Sequence, residues 1–344
     1  GDLIEQPIHI FFMSISNQMS RCLRLFLLLL ASRYTTKAIL HNECRETDHG
    51  VCDDKAEYVL PPDCTLVMAK STVNGFGIYS LFDRRRGTQI LRGDIVIQLP
   101  DVIHQDGMKY FQENYWTSSH DTGGMFEGKI VHSITPGIGM LTNSVHRKSN
   151  ILPYRVDRDD GSCSRENCKG SGSFTQYHNY TWFFHKDISA GQELLSPKPD
   201  DWFQQRGLNS DDHTNSKTSR DTENPPSRSL EWLRQNGLCL DNIIPNESPV
   251  SGRGAFAARF LPHGSVVAPV PVLPIFDWRK SLNMLQEDNG STTKERWQLL
   301  LNYCFGHSES SLLLFPYGPF VNLISHSEKP NVELRFSKRF NREE

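Results

Sequence analysis

The sequence predicts an α+β fold, mostly β, built as two domains of short strands and tight turns. The second domain is cut short at its C-terminus. Three observations carry this expectation. The chain repeats itself: STVNGFGIYSLFDRRRG (71–87) aligns without a gap on SPVSGRGAFAARFLPHG (248–264). Ser71/Ser248, Val73/Val250, Gly75/Gly252, Gly77/Gly254 and Gly87/Gly264 are identical at a constant offset of 177, and Tyr79/Phe256 is an aromatic pair. Around each copy, β-branched and aromatic residues are punctuated by glycine, as in short strands joined by turns. Between the copies, 206–229 is a polar stretch with Pro225-Pro226, which reads as a disordered linker.

The chain in order gives five segments. Residues 1–40 contain Arg21, Arg24 and a short apolar run from Leu25 to Ala31. This resembles a secretory or organellar leader, too short to span a membrane, with a buried helix as the plainer alternative. Residues 41–62 are irregular and contain Cys44 and Cys52. Residues 63–205 form the first repeat-bearing domain, 206–229 the linker and 230–344 the second domain. In the latter, LEWLRQNG predicts a short helix stopped by Gly237 at its C′ position.

Composition excludes some functions. With 37% apolar and 22% charged residues, the 344-residue chain reads as globular with polar inserts. A net charge of −3 gives no electrostatic case for nucleic acid, and Arg84-Arg85-Arg86 reads as a solvated turn. Eight cysteines leave seven outside the leader, an odd number that closes no disulfide framework. In a secretory compartment Cys44 could pair with Cys52 and Cys163 with Cys168; structural or free thiols are the default. The C-x4-C spacing of 163–168 fits no zinc pattern, and no metal is expected. Of the sequons at Asn179, Asn246 and Asn289, the first falls in an expected strand.

Gly252-Arg253-Gly254-Ala255-Phe256-Ala257 also satisfies G-x-G-x-x-A, the dinucleotide fingerprint. That motif needs a buried strand before it and a helix after it. Pro245 and Pro249 precede it, and Pro262 and Gly264 follow too soon for a helix, so the context fails. A plain β-turn remains the simple alternative.

Near the C-terminus, VNLISHSEKPN (321–331) resembles the signature of SET-domain methyltransferases, in which an apolar pair precedes Asn-His-Ser, a spacer and Pro-Asn. Leu323-Ile324, Ser325-His326-Ser327 and Pro330-Asn331 hold those places, with Ser325 where the family usually has Asn. In the first copy, Leu141-Thr142-Asn143-Ser144 and Asn150 hold them, keeping the Asn and lacking the His. Asp187-Ile188-Ser189-Ala190-Gly191-Gln192-Glu193-Leu194 resembles the family's closing D-I-x-x-G-E-E-L segment. The run NYCFGHSESSLLLFPYG (302–318) adds a likeness to SET-domain proteins of algal type. The resemblance thus implies two SET-like domains, one whole (63–205) and one incomplete (230–344).

The resemblance implies S-adenosylmethionine as cofactor and a protein or peptide lysine as substrate. It places Gly75, Gly77 and Asn143, and Gly252, Gly254, Ser325 and His326, against the cofactor. Glycine would let backbone approach the ligand closely. The family's catalytic tyrosine follows the Glu of E-L by five residues; here that place is Lys198, followed by Pro199. A cation beside a sulfonium is repelled in a low-dielectric site, so the first copy is expected to fold alone yet be silent. No catalytic residue is assigned. Two functions stay open: a SET-type lysine methyltransferase, and a SET-like pseudoenzyme that binds a protein or peptide. The first copy, used as a ruler, predicts roughly thirty further residues beyond Glu344 to complete the second. Localisation, substrate and oligomeric state are not legible.

Overall fold

A computed structural model describes residues 8–14, 60–98, 117–118, 133–158, 177–198, 200–204, 225–249, 253–275, 285–286, 296–297, 303–306 and 312–336. In chain order the elements are β1 (Ile8–Ser14), β2 (Leu66–Lys70), β3 (Phe76–Ser80), β4 (Gln89–Gln98), β5 (Thr117–Ser118), β6 (Ser133–Ile134), α1 (Ile138–Leu141), β7 (Ile151–Arg158) and β8 (Tyr177–Phe184). Then follow α2 (Asp200–Gln204), α3 (Leu230–Asn236), β9 (Leu238–Cys239), β10 (Ile243–Glu247), β11 (Arg253–Ala257), β12 (Val266–Ile275), β13 (Leu285–Gln286), β14 (Arg296–Trp297), β15 (Phe305–Gly306) and β16 (Leu313–Pro316). A 3₁₀ turn (Val321–Leu323) and β17 (Val332–Phe336) end the described chain. The described residues are mostly strand, with short helices and small, largely antiparallel sheets.

The 177-residue offset holds for backbone as well as for sequence. β2, β3 and β4 recur as β10, β11 and β12 with both ends of each strand displaced by that same number. The hairpin registers agree: Leu66 pairs with Ser80 and Lys70 with Phe76, as Ile243 pairs with Ala257 and Glu247 with Arg253. Each hairpin ends in an identical bond, Leu81 N donating to Thr65 O at 2.9 Å and Ala258 N to Asn242 O at 2.8 Å.

Two five-stranded sheets follow one plan. One runs β5-β6-β4-β8-β7 and the other β15-β16-β12-β1-β17. β8 lies antiparallel between β4 and β7, whereas β1 fills the matching slot between β12 and β17 in parallel. Residues 8–14 fall inside the stretch expected as a leader. The apolar run 25–31, Cys44, Cys52, Cys163, Cys168, Asn289 and Pro199 lie outside the described residues. Among those described, no helix is long and apolar enough to cross a membrane.

One apolar core joins both halves. Ile78, Ile97, Ile134, Trp182 and Leu194 belong to the same buried cluster as Val270, Leu273, Phe315, Tyr317 and Phe320. Gly137 N donates to Tyr317 O at 2.8 Å, so the turns leading to α1 and to the 3₁₀ segment meet directly. β9 extends the first hairpin into the sheet β3-β2-β9, pairing Val67 with Cys239.

A disulfide links Cys64 to Cys239 across that junction, both sulfurs fully buried, closing a loop of 175 residues. Neither cysteine belongs to the two pairs that spacing allowed, because partners this far apart leave no local signal. Beside it, Asp241 accepts from Thr65 N and Oγ1 at 2.9 and 2.6 Å and pairs with Arg259 at 3.0 Å. Cys64, Cys239 and Asp241 lie within 4.8 Å of one another. The sulfurs are bonded to each other and Asp241 holds a guanidinium, so the cluster is a staple.

α3 begins at Ser229, whose hydroxyl accepts from Trp232 N at 3.2 Å, satisfying one of the free N–H groups of the first turn. The helix ends at Gly237 as expected, but for another reason. Gly237 has φ −84°, not the left-handed value of a C′ glycine. A Cβ there would sit 2.6 Å from Leu233 O and 3.0 Å from Val67 Cβ, so glycine serves close packing of α3 on β2.

Candidate functional site

The resembling motifs of the first copy converge on one buried carboxylate. Glu193 is fully buried. Its oxygens accept from Ser71 Oγ at 2.8 and 2.9 Å, from Tyr79 Oη at 3.0 Å and from Asn143 Nδ2 at 2.8 Å. Asn143 also donates to Asn74 O and Phe76 O, each at 3.0 Å. One amide thereby clamps the glycine turn onto the carboxylate.

Gly77 lies under this carboxylate. A Cβ at Gly77 would collide with Glu193 Oε1. The absence of a side chain therefore makes room for Glu193. Gly75 has φ +51° and open space around its missing Cβ, so its conformation, not crowding, favours glycine.

The backbone around Glu193 is fixed by strand contacts. Leu194 N donates to Ile78 O at 2.7 Å, Ser80 N to Gln192 O at 3.2 Å and Gly191 N to Ser80 O at 2.7 Å. Asn150, buried, donates from Nδ2 to Glu193 O at 2.8 Å and accepts from Leu195 N at 2.7 Å. The turn at Gly191 (φ +89°) has Arg228 O where a Cβ would stand. The closing segment thus lies along the outer edge of β3.

Residues 225–229, the end of the expected linker, cover the other side of this segment. Glu193 N donates to Pro226 O and Arg228 N to Gly191 O, both at 2.9 Å. The Arg228 guanidinium lies 4.4 Å from the Trp232 ring centroid.

Burial dominates the protonation of this cluster. It raises the Glu193 carboxyl above the usual carboxylate range, while bonds from Asn143, Ser71 and Tyr79 and the charge of Arg228 oppose the shift. The Tyr79 phenol is pushed up to about 12 by burial first and by the Glu193 charge second. Tyr79 therefore stays a neutral donor at neutral pH.

Lys198 Nζ stands 5.3 Å from the Trp202 ring centroid, a cation–π contact. Nearby, His146 Nε2 lies 2.9 Å from Asp200 Oδ1, and its ring meets Phe203 edge-on at 5.2 Å. α2 thus folds back over the segment after Asn143.

The second copy brings together less. Gly252 lies outside the described residues. Gly254 is buried, and a Cβ there would sit 3.2 Å from Ser248 Cβ. Ser325 and His326 are exposed, directly after the 3₁₀ turn, which packs against β11. Asn322 of that turn donates to Pro316 O at 3.0 Å. A cavity of about 540 Å³ opens where β10 faces β4, lined by Ile90, Leu91, Ile244, Glu247, Arg253 and Phe320.

The expectation for Gly75, Gly77 and Asn143 was contact with a cofactor. In the structure, Gly77 and Asn143 contact Glu193, and the Asn143 amide donates its protons within the chain. Glu193, Tyr79 and Ser71 are the site members that had not been placed among the cofactor-binding residues. Ser71 and Tyr79 were signalled by the repeat, and Glu193 by its place in the closing segment.

No family model matches the chain, and no curated protein does. Solved structures similar to it include a candidate histone methyltransferase of Plasmodium falciparum, at 15% identity and a TM-score of 0.27, covering 41% of this chain and 98% of that one. The Chaetomium thermophilum Polycomb Repressive Complex 2 is also similar, at 15% identity and a TM-score of 0.26, covering 40% of this chain and 16% of that one. The same complex bound to S-adenosylmethionine matches at 13% identity and a TM-score of 0.26, covering 59% of this chain and 20% of that one. The chain spans a fifth or less of these Polycomb chains, and the likeness is local.

Proposed function

We propose that this chain is a SET-type protein with two copies of one domain plan, the first silent and the second the seat of any S-adenosylmethionine-dependent lysine methylation. The observation that supports it best is the convergence of Gly77, Asn143 and Glu193. These residues stand far apart in sequence, fall in three motifs that resemble the family's, and meet at one carboxylate.

The two copies differ in what they offer a cofactor. In the first, the Asn143 donors and the space beside Gly77 are committed to Glu193, and Lys198 replaces the phenol. In the second, Ser325 and His326 present a hydroxyl and an imidazole at the surface beside β11, and these polar groups fit a cofactor's polar edge. S-adenosylmethionine would supply an electrophilic methyl on a sulfonium; the protein would hold a neutral lysine amine in line with it. The substrate class is a protein or peptide lysine. The alternative is a pseudoenzyme that binds peptide without turnover, favoured by the absence of a tyrosine in the first copy's closing segment.

Calorimetric titration with S-adenosylmethionine tests the reading. Binding that Gly254→Val weakens and Gly75→Val leaves in place is expected. A folded chain that binds no cofactor removes the methyltransferase reading. Cofactor binding without methyl transfer to lysine peptides selects the pseudoenzyme.

A further inference from the structure

The two hairpins have the same register and opposite exposure. Tyr79 is fully buried, while its counterpart Phe256 is 38% exposed. Ile78 and Ser80 are buried, while Ala255 is half-buried and Ala257 exposed. Asn150 is buried, while Asn331 is exposed. These first-copy residues share one contact, the closing segment from Gly191 to Leu195. Ile78 O and the Ser80 backbone bond to its main chain, Asn150 to Glu193 O and Leu195 N, and Tyr79 to the Glu193 carboxylate.

We infer that the outer edge of β11 is a docking site for an extended strand with the chemistry of the closing segment, an acidic residue followed by two leucines. This rests on the two-copy reading. β10 and β11 form a sheet of only two strands, marginal by itself. The β10 edge carries Pro245, which removes a donor and discourages pairing. The β11 edge, Arg-Gly-Ala-Phe-Ala, has no proline, and Phe256 is flanked by two alanines. Such an edge adds a strand through main-chain bonds, with specificity from alternate side chains.

The matched residues set the register. Ala255 O stands where Ile78 O accepts from Leu194 N, and Ala257 where Ser80 bonds to Gly191 and Gln192. Asn331 directly precedes β17 as Asn150, which reads the closing segment's backbone, directly precedes β7. The space beside Gly254 is lined by Ser248, the counterpart of Ser71, and by the Phe256 ring, which the incoming carboxylate would displace. β1 fills the slot matching β8, so this edge is the matching position among the described residues that stays open.

The test uses the 344-residue chain and a fluorescent peptide of its own residues 187–196, DISAGQELLS. Saturable anisotropy is expected. Asn331→Ala, at an exposed position, should weaken binding about tenfold, the worth of two lost hydrogen bonds to backbone. A peptide N-methylated at the position of Leu194 should not bind, and it leaves the protein unaltered. No binding, or binding indifferent to both changes, overturns the inference. The readout involves no S-adenosylmethionine: a chain that binds peptide but no cofactor keeps this inference and loses the methyltransferase reading, and the reverse outcome does the opposite.

Discussion

At the scale of single residues, the two G-x-G copies make opposite demands. Gly77 has a carboxylate where its Cβ would be, and Glu193 is held by three donors and cannot yield. Gly77→Ala should cost about 1–3 kcal/mol, as overpacking does. Gly254→Ala meets the Ser248 side chain at 3.2 Å and the Phe256 ring at 3.4 Å, contacts far looser than that at Gly77, and should cost less. Urea midpoints of the two variants check the order; equal losses would show that Glu193 does not crowd Gly77. Glu193 also gives a pH signature. Its carboxyl is raised in the folded state, so folding favours the protonated form. The contribution is full below the ordinary carboxyl range and declines as pH rises through the raised value. Glu193→Gln should flatten that decline in melting temperature between acid and neutral pH. An unchanged slope would mean that the carboxyl is not the group responsible.

Elements raise a different question, namely what holds the first hairpin to the second half of the chain. β2 pairs with β9, and the Cys64–Cys239 disulfide and the Thr65–Asp241–Arg259 contacts lie at that pairing. A disulfide across so long a loop stabilises by limiting the unfolded chain, by about 2–4 kcal/mol in typical cases. Cys239→Ser should lower stability by that order. Mass spectrometry of non-reduced peptides should recover Cys64 joined to Cys239; two free thiols in the native protein would refute the staple. The same element view changes the reading of 225–229. These residues have linker composition, yet they pair with Gly191–Glu193 because that edge offers unpaired backbone groups.

Among the described residues of the whole molecule, a large buried cluster and a smaller one around Cys64, Tyr79 and Cys239 both draw on the two halves of the chain. Residues 63–205 were expected to fold alone, and the shared cluster argues otherwise: removing 230–344 would strip β9 from β2 and the Phe315–Tyr317–Phe320 group from Ile134 and Ile138. Cutting the full chain within 206–224 should leave two pieces that migrate together on a native gel even after reduction. Separation under reduction alone would mean that the disulfide, and not the core, joins them. Cleavage after Ala31, as a leader would require, removes β1 from between β12 and β17, so a chain starting at residue 32 should melt lower than one starting at residue 1.

The sequence by itself determined the repeat, its offset and the short-strand, turn-rich class. Those features are local: glycine spacing, β-branched runs and turn residues act over a few positions, and two copies of one pattern must form similar hairpins. It also marked Asn143, Asn150 and Glu193 through their motifs, and α3 through Ser229 and Gly237. Tertiary structure alone decided what these residues do. Whether Gly77 faces a ligand or a carboxylate depends on a segment more than a hundred positions away. The pairing of Cys64 with Cys239, and the meeting of Gly137 with Tyr317, depend on the halves sharing a core, and no local pattern encodes that. Exposure decided the last point. Tyr79 and Phe256 are near-equivalents in sequence, and only the packed chain reveals that one is covered by a strand and the other is not.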